Sequence, residues 1–211
     1  MLALQQLTAI RGDRILFDQL DAQLLPGQVL YITGPNGSGK TTLLRMLAGF
    51  LEPQAGMISW QQQPVQQSPS YLAKLLYIGH QSGVSPEATA LENLRYAQML
   101  QPQLKRHANT ATNQAMLLTA LDTLGLAGFE HEPAQTLSAG QNRRIALARL
   151  SLSQADLWIL DEPFTALDQQ AILILEDLIN RHTDQNGLVV FTSHQPPQHL
   201  HHLRTLDLAA F

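Results

Sequence analysis

A chain of 211 residues with 45% hydrophobic and 14% charged residues can form one domain with a sizeable core, and is neither disordered nor strongly charged. Its formal net charge is −4 and its basic residues are scattered apart from pairs such as Arg143-Arg144, so no nucleic-acid partner is expected. It has no cysteine, which excludes disulfides and thiolate metal sites and fits a reducing compartment.

The opening residues, MLALQQLTAIRGD, lack a basic segment followed by a long apolar one, so no secretion leader is expected. Nowhere does the chain approach the roughly 20 consecutive apolar residues that cross a bilayer, and any membrane role is expected to come through a partner. Leu2-Ala3-Leu4 and Ile15-Leu16-Phe17 read as short strands, and Pro26-Gly27 marks a turn before the apolar run Val29-Leu30-Tyr31-Ile32. That run leads into Gly34-Pro35-Asn36-Gly37-Ser38-Gly39-Lys40-Thr41, which matches G-x-x-x-x-G-K-[ST], and then into a helical pattern from Thr41 and Thr42 to Ala48. Glycines let such a loop curl so that its N–H groups face phosphate oxygens, and the helix start adds its positive end. Lys40 would reach the β- and γ-phosphates of ATP, and the Thr41 hydroxyl would ligate Mg2+.

Gln61 to Gln67 reads as an exposed turn. From about Glu87 to Leu152 the pattern turns helical: Leu91, Leu94 and Met99 recur at near-helical spacing, as do Leu117, Leu118, Leu121 and Leu124, with a loop expected from Gln101 to Thr112. Strand signals return at Leu157-Trp158-Ile159-Leu160 and at Leu188-Val189-Val190-Phe191, with a helix expected from Gln169 to His182 between them. Strand, helix and strand with buried-type runs predict parallel βαβ units. No internal repeat is visible, and a single phosphate loop argues against a tandem ATPase. Asp161 and Glu162 close the first of these runs. Asp161 is placed to hold Mg2+, directly or through water, and Glu162 to polarise an attacking water.

Leu137-Ser138-Ala139-Gly140-Gln141 opens the helical stretch Arg143 to Arg149 and resembles the LSGGQ signature of the ABC ATPases, with Ala139 in place of a glycine. Ser138 as a helix N-cap and the Gly140 N–H make a second anion site. The resemblance implies that this site, with Gln141, closes on the γ-phosphate held by another copy. It further matches Gln81 to the glutamine that contacts Mg2+ or water, Ala166-Leu167-Asp168 to the loop crossing the dimer interface, and His194 to the histidine that contacts the γ-phosphate. The family usually stacks adenine on an aromatic residue where this chain has Arg11. An arginine plane can stack on a base, and Phe17 is the other candidate. The histidines His199, His201 and His202 near the C-terminus read as solvated polar residues.

The resemblance covers essentially the whole chain and implies an α/β fold: a P-loop NTPase (RecA-like) core with an N-terminal antiparallel β region and an inserted helical subdomain. Residues 1–211 would form a single ABC-type ATP-binding domain, with the core at about 1–86 and 153–211 and the helical subdomain at about 87–152. The phrases from Trp158 to Asp168, Gly125 to Glu130 and Thr192 to Pro196 resemble the haem-exporter-type ATPases of bacterial cytochrome c biogenesis. That likeness implies a homodimer with ATP at its interface, bound to integral membrane subunits on the cytoplasmic side of the inner membrane. Its hydrolysis of ATP to ADP and phosphate would be coupled to haem export or to release of a haem-loaded chaperone. An ATPase serving another transported substrate would keep every motif. The family's delivery surface maps to Gln81 through about Leu94, where Val84 and Leu91 would receive a short helix of the membrane subunit.

Overall fold

The computed structural model describes residues 1–211, apart from the side chains at positions 67 and 69. Strands β1 (Leu2–Arg11) and β2 (Arg14–Leu24) form an antiparallel hairpin that sets Arg11 opposite Arg14 at its tip. On the other edge β1 pairs antiparallel with a later strand of its sheet, Ala55–Trp60, and that strand with the short Gln63–Pro64. Gln61 and Gln62 join the last two strands with φ of 51° and 69°, the positive values a two-residue hairpin turn requires. The glutamine-rich segment is therefore an exposed hairpin tip, although Val65 beyond it is buried.

The second sheet contains β3 (Val29–Thr33) and, numbering the strands just described β4 and β5, also β6 (Leu75–Ile78), β7 (Leu157–Leu160), β8 (Leu188–Thr192) and β9 (Leu203–Asp207). Its order is β6-β7-β8-β3-β9 and every pairing is parallel. β7 and β8 are buried along their whole length, as a parallel sheet covered on both faces requires. Side chains alternate across it. Leu30, Ile32, Leu157, Ile159, Leu188 and Val190 meet helix α1 (Lys40–Leu47) and the antiparallel sheet. The opposite set, including Tyr31, Trp158, Leu160 and Phe191, belongs to a core shared with α3 (Ala90–Leu100), α4 (Thr110–Thr123), α5 (Ala139–Leu152) and α6 (Gln169–Asp184). The remaining helix, α2, is one short turn at Pro69–Ala73. Burying each large apolar side chain contributes roughly 1.5–3 kcal/mol, so the buried strands β7 and β8 are apolar until their carboxyl ends, where Thr192 closes β8 and Asp161 follows β7.

The helical stretch expected from about Glu87 to Leu152 contains α3, α4 and α5, which pack on one another around Leu91, Leu94, Leu117, Leu121 and Ile145. A reciprocal capping box between Thr89 and Glu92 starts α3. Three expectations need correction here. The loop after α3 ends sooner than Thr112, because the Asn109 side chain accepts from Thr112 N–H and caps α4. Met99 points outward and is 65% exposed. Leu91 is only 3% exposed and packs in the core, so it presents no surface to a partner helix.

Candidate nucleotide-hydrolysis site

The phosphate loop leaves β3 and enters α1 through Gly39, whose φ of 99° lies in the region that favours glycine. A Cβ at Gly39 would also stand a tight 3.1–3.2 Å from Leu16 and the Phe17 ring, so the loop rests closely on the hairpin. Phe17 is thereby fully buried beneath the loop, which removes it as a stacking surface for adenine. Arg11 and Leu16 remain on the cleft wall. Arg14 reaches the same loop, its Nη1 lying 3.7 Å from where a Gly37 Cβ would be.

One cleft of about 370 Å³ is lined by Arg11, Asn36, Gly37, Gly39, Lys40, Thr41, Thr42, Asp161, Glu162 and His194. It opens at the carboxyl ends of the parallel strands, where open α/β sheets place their ligands. Gly34, Pro35 and Ser38 complete the loop, and the Lys40 Nζ donates to the carbonyls of Gly34 (2.7 Å) and Pro35 (3.2 Å). The Thr41 hydroxyl donates to Asp161 Oδ1 at 3.5 Å. Asp161 is 2% exposed, and its Oδ2 has no hydrogen-bond partner among the described residues.

Because β8 lies between β7 and β3, its last residue stands between the two halves of the site. Thr192 Oγ1 donates to Asp161 Oδ1 (2.8 Å) and accepts from the Glu162 N–H (3.0 Å). In the sequence Thr192 figures only in the Thr192 to Pro196 phrase, as a polar residue ending an apolar run, with no sign of these bonds. Glu162 has φ of 51°, and its Oε2 accepts from the His194 N–H (3.2 Å), while Oε1 lies 3.6 Å from His194 Nε2. Tyr31 stacks on Phe191 and donates its hydroxyl to the Ser193 carbonyl (3.0 Å), which steadies the segment carrying His194.

In the sequence Arg143 is half of a basic pair at the start of a helical stretch, with no signal of a place in the site. It is 6% exposed and donates to the carbonyls of Gly79 (2.8 Å), Asp161 (2.7 Å) and Glu162 (3.0 Å). Burial lowers the pKa of its guanidinium, and the Asp161 and Glu162 charges oppose that shift.

Other sequence candidates fall outside this cleft. Gln81 is exposed and does not line it; its neighbour His80, also exposed, does. Ser138, Gly140 and Gln141 also lie apart from it. Ser138 and Gln141 bond each other's main-chain N–H at the start of α5 (3.2 and 2.9 Å). Gly140 is pressed against the loop after β7, so a Cβ there would sit 2.5 Å from the Ala166 carbonyl oxygen. Arg144 pairs with Asp168, which caps α6 by accepting from the Ala171 N–H. That bond first, and Arg144 with it, holds the Asp168 carboxyl below its ordinary range. Val84 lines a neighbouring groove with Ser82, Pro86, Ala134 and Gln135. Among the described residues, His199, His201 and His202 join no cluster able to hold a metal, and no helix is long and apolar enough to cross a membrane.

The chain is similar to the cytochrome c biogenesis ATP-binding export protein CcmA of Vibrio parahaemolyticus, at 47% identity over 92% of each chain. It is similar to the protein of the same name from Haemophilus influenzae, at 46% identity over 100% of this chain and 96% of the relative. The fold resembles that of a bacterial ABC transporter cassette solved as a dimer, with a TM-score of 0.82, 22% identity and coverage of 99% and 95%. The ABC transporter family model matches residues 17–165, within which lie the phosphate loop, the Ser138 segment and the Asp161-Glu162 pair, and the chain therefore belongs to the ABC transporter family.

Proposed function

We propose that this chain is the ATP-hydrolysing subunit of a membrane ABC complex serving c-type cytochrome biogenesis, coupling hydrolysis to haem export or to release of a haem-loaded chaperone. The convergence of Lys40, Thr41, Asp161, Glu162 and His194 on one cleft carries the chemistry. The identity of 46–47% with relatives named for cytochrome c biogenesis export supports the pathway.

The main-chain N–H groups of Gly34 and of Asn36 through Thr42 would bind the phosphates, Pro35 having none to give, with Lys40 exchanging the two loop carbonyls for β- and γ-oxygens. Thr41 and Asp161 fit Mg2+: a buried carboxylate oxygen without a partner, beside a hydroxyl, is the donor set a hard cation takes. When bound, Mg2+ neutralises charge on the transferred phosphoryl group. Gln81 would join this set only through a turn of the segment after β6. Glu162 polarises the attacking water, and His194, held against it, orients the γ-phosphate side of the cleft. Arg11 forms the base end.

Ser138, Gly140 and Gln141 are turned away from their own cleft, which supports a homodimer in which they serve the ATP of the other copy. The chain would lie on the cytoplasmic side of the inner membrane, held there by integral membrane subunits. Val84 and the groove around it, without Leu91, form the docking surface. The division into a core at about 1–86 and 153–211 and a helical subdomain at about 87–152 follows the same reading.

The test is complementation. In cells lacking this subunit, the wild-type chain restores cytochrome c maturation, while Glu162→Gln does not. Val84→Asp retains ATPase activity in solution but loses membrane association and maturation. Normal cytochrome c in cells lacking the subunit would remove the pathway while leaving the ATPase reading intact.

A further inference from the structure

Glu162 sits in left-handed backbone, a conformation that a residue with a long side chain keeps only when its surroundings hold it there. Thr192 holds its N–H and Arg143 its carbonyl. Arg143 belongs to the early part of α5, the helix that Ser138 caps, and its guanidinium also grips Asp161 and Gly79. Among the described residues it forms no ion pair with a carboxylate; its bonds run to three main-chain oxygens. A buried cation is costly unless its donors are used, so simple packing of α5 on the sheet would be served better by an apolar side chain. One turn and a half later, Arg149 donates to the Ser82 carbonyl at 3.1 Å. The helix thus grips the segment after β6 at two points and the segment after β7 at two more.

We propose that Arg143 is a positioning residue for hydrolysis: it fixes the main chain of Glu162 so that the carboxylate faces the nucleotide cleft, and it makes that placement depend on the seating of α5. This rests on the reading of Glu162 as the group that polarises water. The Ser138 end of α5 is then mechanically tied to the hydrolytic residue of its own chain, so a shift of that end on meeting another copy's nucleotide moves Glu162.

The test compares Arg143→Met and Arg143→Lys in the full chain, with turnover measured at saturating Mg-ATP and nucleotide affinity by equilibrium dialysis. Misplacing the carboxylate predicts a loss in kcat of about 10–100-fold for Arg143→Met, with partial recovery in Arg143→Lys. Nucleotide affinity should stay within about twofold, because the phosphate loop is untouched. Added to Glu162→Gln, Arg143→Met should cause no further loss, since it acts through that carboxylate. If Arg143→Met does not fold, Arg143→Lys carries the same split between kcat and affinity. The proposal is overturned by an unchanged kcat, by a loss confined to affinity, or by a full additional loss in the Glu162→Gln background. Near-normal hydrolysis by Glu162→Gln alone is a separate failure: it removes the carboxylate from catalysis, and the role of Arg143 with it.

Discussion

Glu162 and Asp161 are adjacent in sequence and opposite in circumstance. Asp161 N–H bonds the Ile78 carbonyl, so the sheet continues through it, and its carboxylate is held by Thr192. Glu162 is the second residue past β7, and its positive φ swings the side chain towards His194. One carboxylate is thus fixed beside the phosphate loop, where the proposed reading puts a cation, and the other is held beside His194, where it puts a water. Replacing the second with its amide keeps its size and removes its basicity. Glu162→Gln is expected to lower turnover by roughly 10²–10⁴-fold, the range for a positioned acid or base, with ATP binding retained. Single-turnover hydrolysis alongside dialysis of ATP checks both halves, and near-normal hydrolysis would take Glu162 out of the role.

The start of α5 is the element on which most of the site leans. Ser138 and Gln141 cap it, Arg143 and Arg144 reach from it to the loops after β7, and Gly140 lies against the Ala166 carbonyl. Gly140→Ala is therefore expected to displace the Ala166 loop, whose own φ of 63° is already unfavourable for alanine, and to cut hydrolysis about tenfold or more. Ala139 is exposed, and Ala139→Gly should keep turnover near wild type. Equal losses in both variants would point to the anion-binding helix start rather than to the close approach. The far end of α6 supports a second expectation. His182 stacks on Trp158 with ring centroids 3.8 Å apart and planes within 4°, and burial pushes its pKa down to about 4 from 6.5. Between those values the unfolded chain binds the additional proton, so stability is complete above 6.5 and falls as pH drops towards 4. Thermal melts across that window should show the decline, and His182→Phe should flatten it.

At the scale of the molecule, the Ser138 segment does not line the cleft of its own phosphate loop, and on the proposed reading a second copy completes each site. Ser138→Arg should bind ATP and fail to hydrolyse it, and Lys40→Ala should fail at the phosphate loop. Mixing the two at equal amounts allows dimers with one intact composite site, recovering at most about a quarter of wild-type turnover if subunits pair at random. Titrating one variant into the other and measuring phosphate release tests this. Hydrolysis by Ser138→Arg at dilutions where sedimentation finds only monomer would end the composite-site reading.

The candidate phosphate loop was legible in the sequence because its chemistry is local: the glycines and the lysine of Gly34 to Thr41 act within a few bonds of one another. Helix α6 was nearly as legible, since a 3.6-residue pattern and the Asp168 cap are written in neighbouring residues. The motifs also brought Lys40, Asp161, Glu162 and His194 to one site, but the side chains that hold them there were not legible. Thr192 touches Asp161 and Glu162 only because β8 pairs with β7, and Arg143 reaches three carbonyls only because α5 packs on that sheet. The same dependence placed His80 rather than Gln81 in the cleft, sank Phe17 beneath Gly39 and buried Leu91 while Val84 kept a surface. The order of motifs along the chain determined the family and the reaction, because those depend on residue type and short spacing. Tertiary structure alone decided how the Glu162 carboxylate is held, because donors and acceptors far apart in sequence become neighbours only when strands and helices pack.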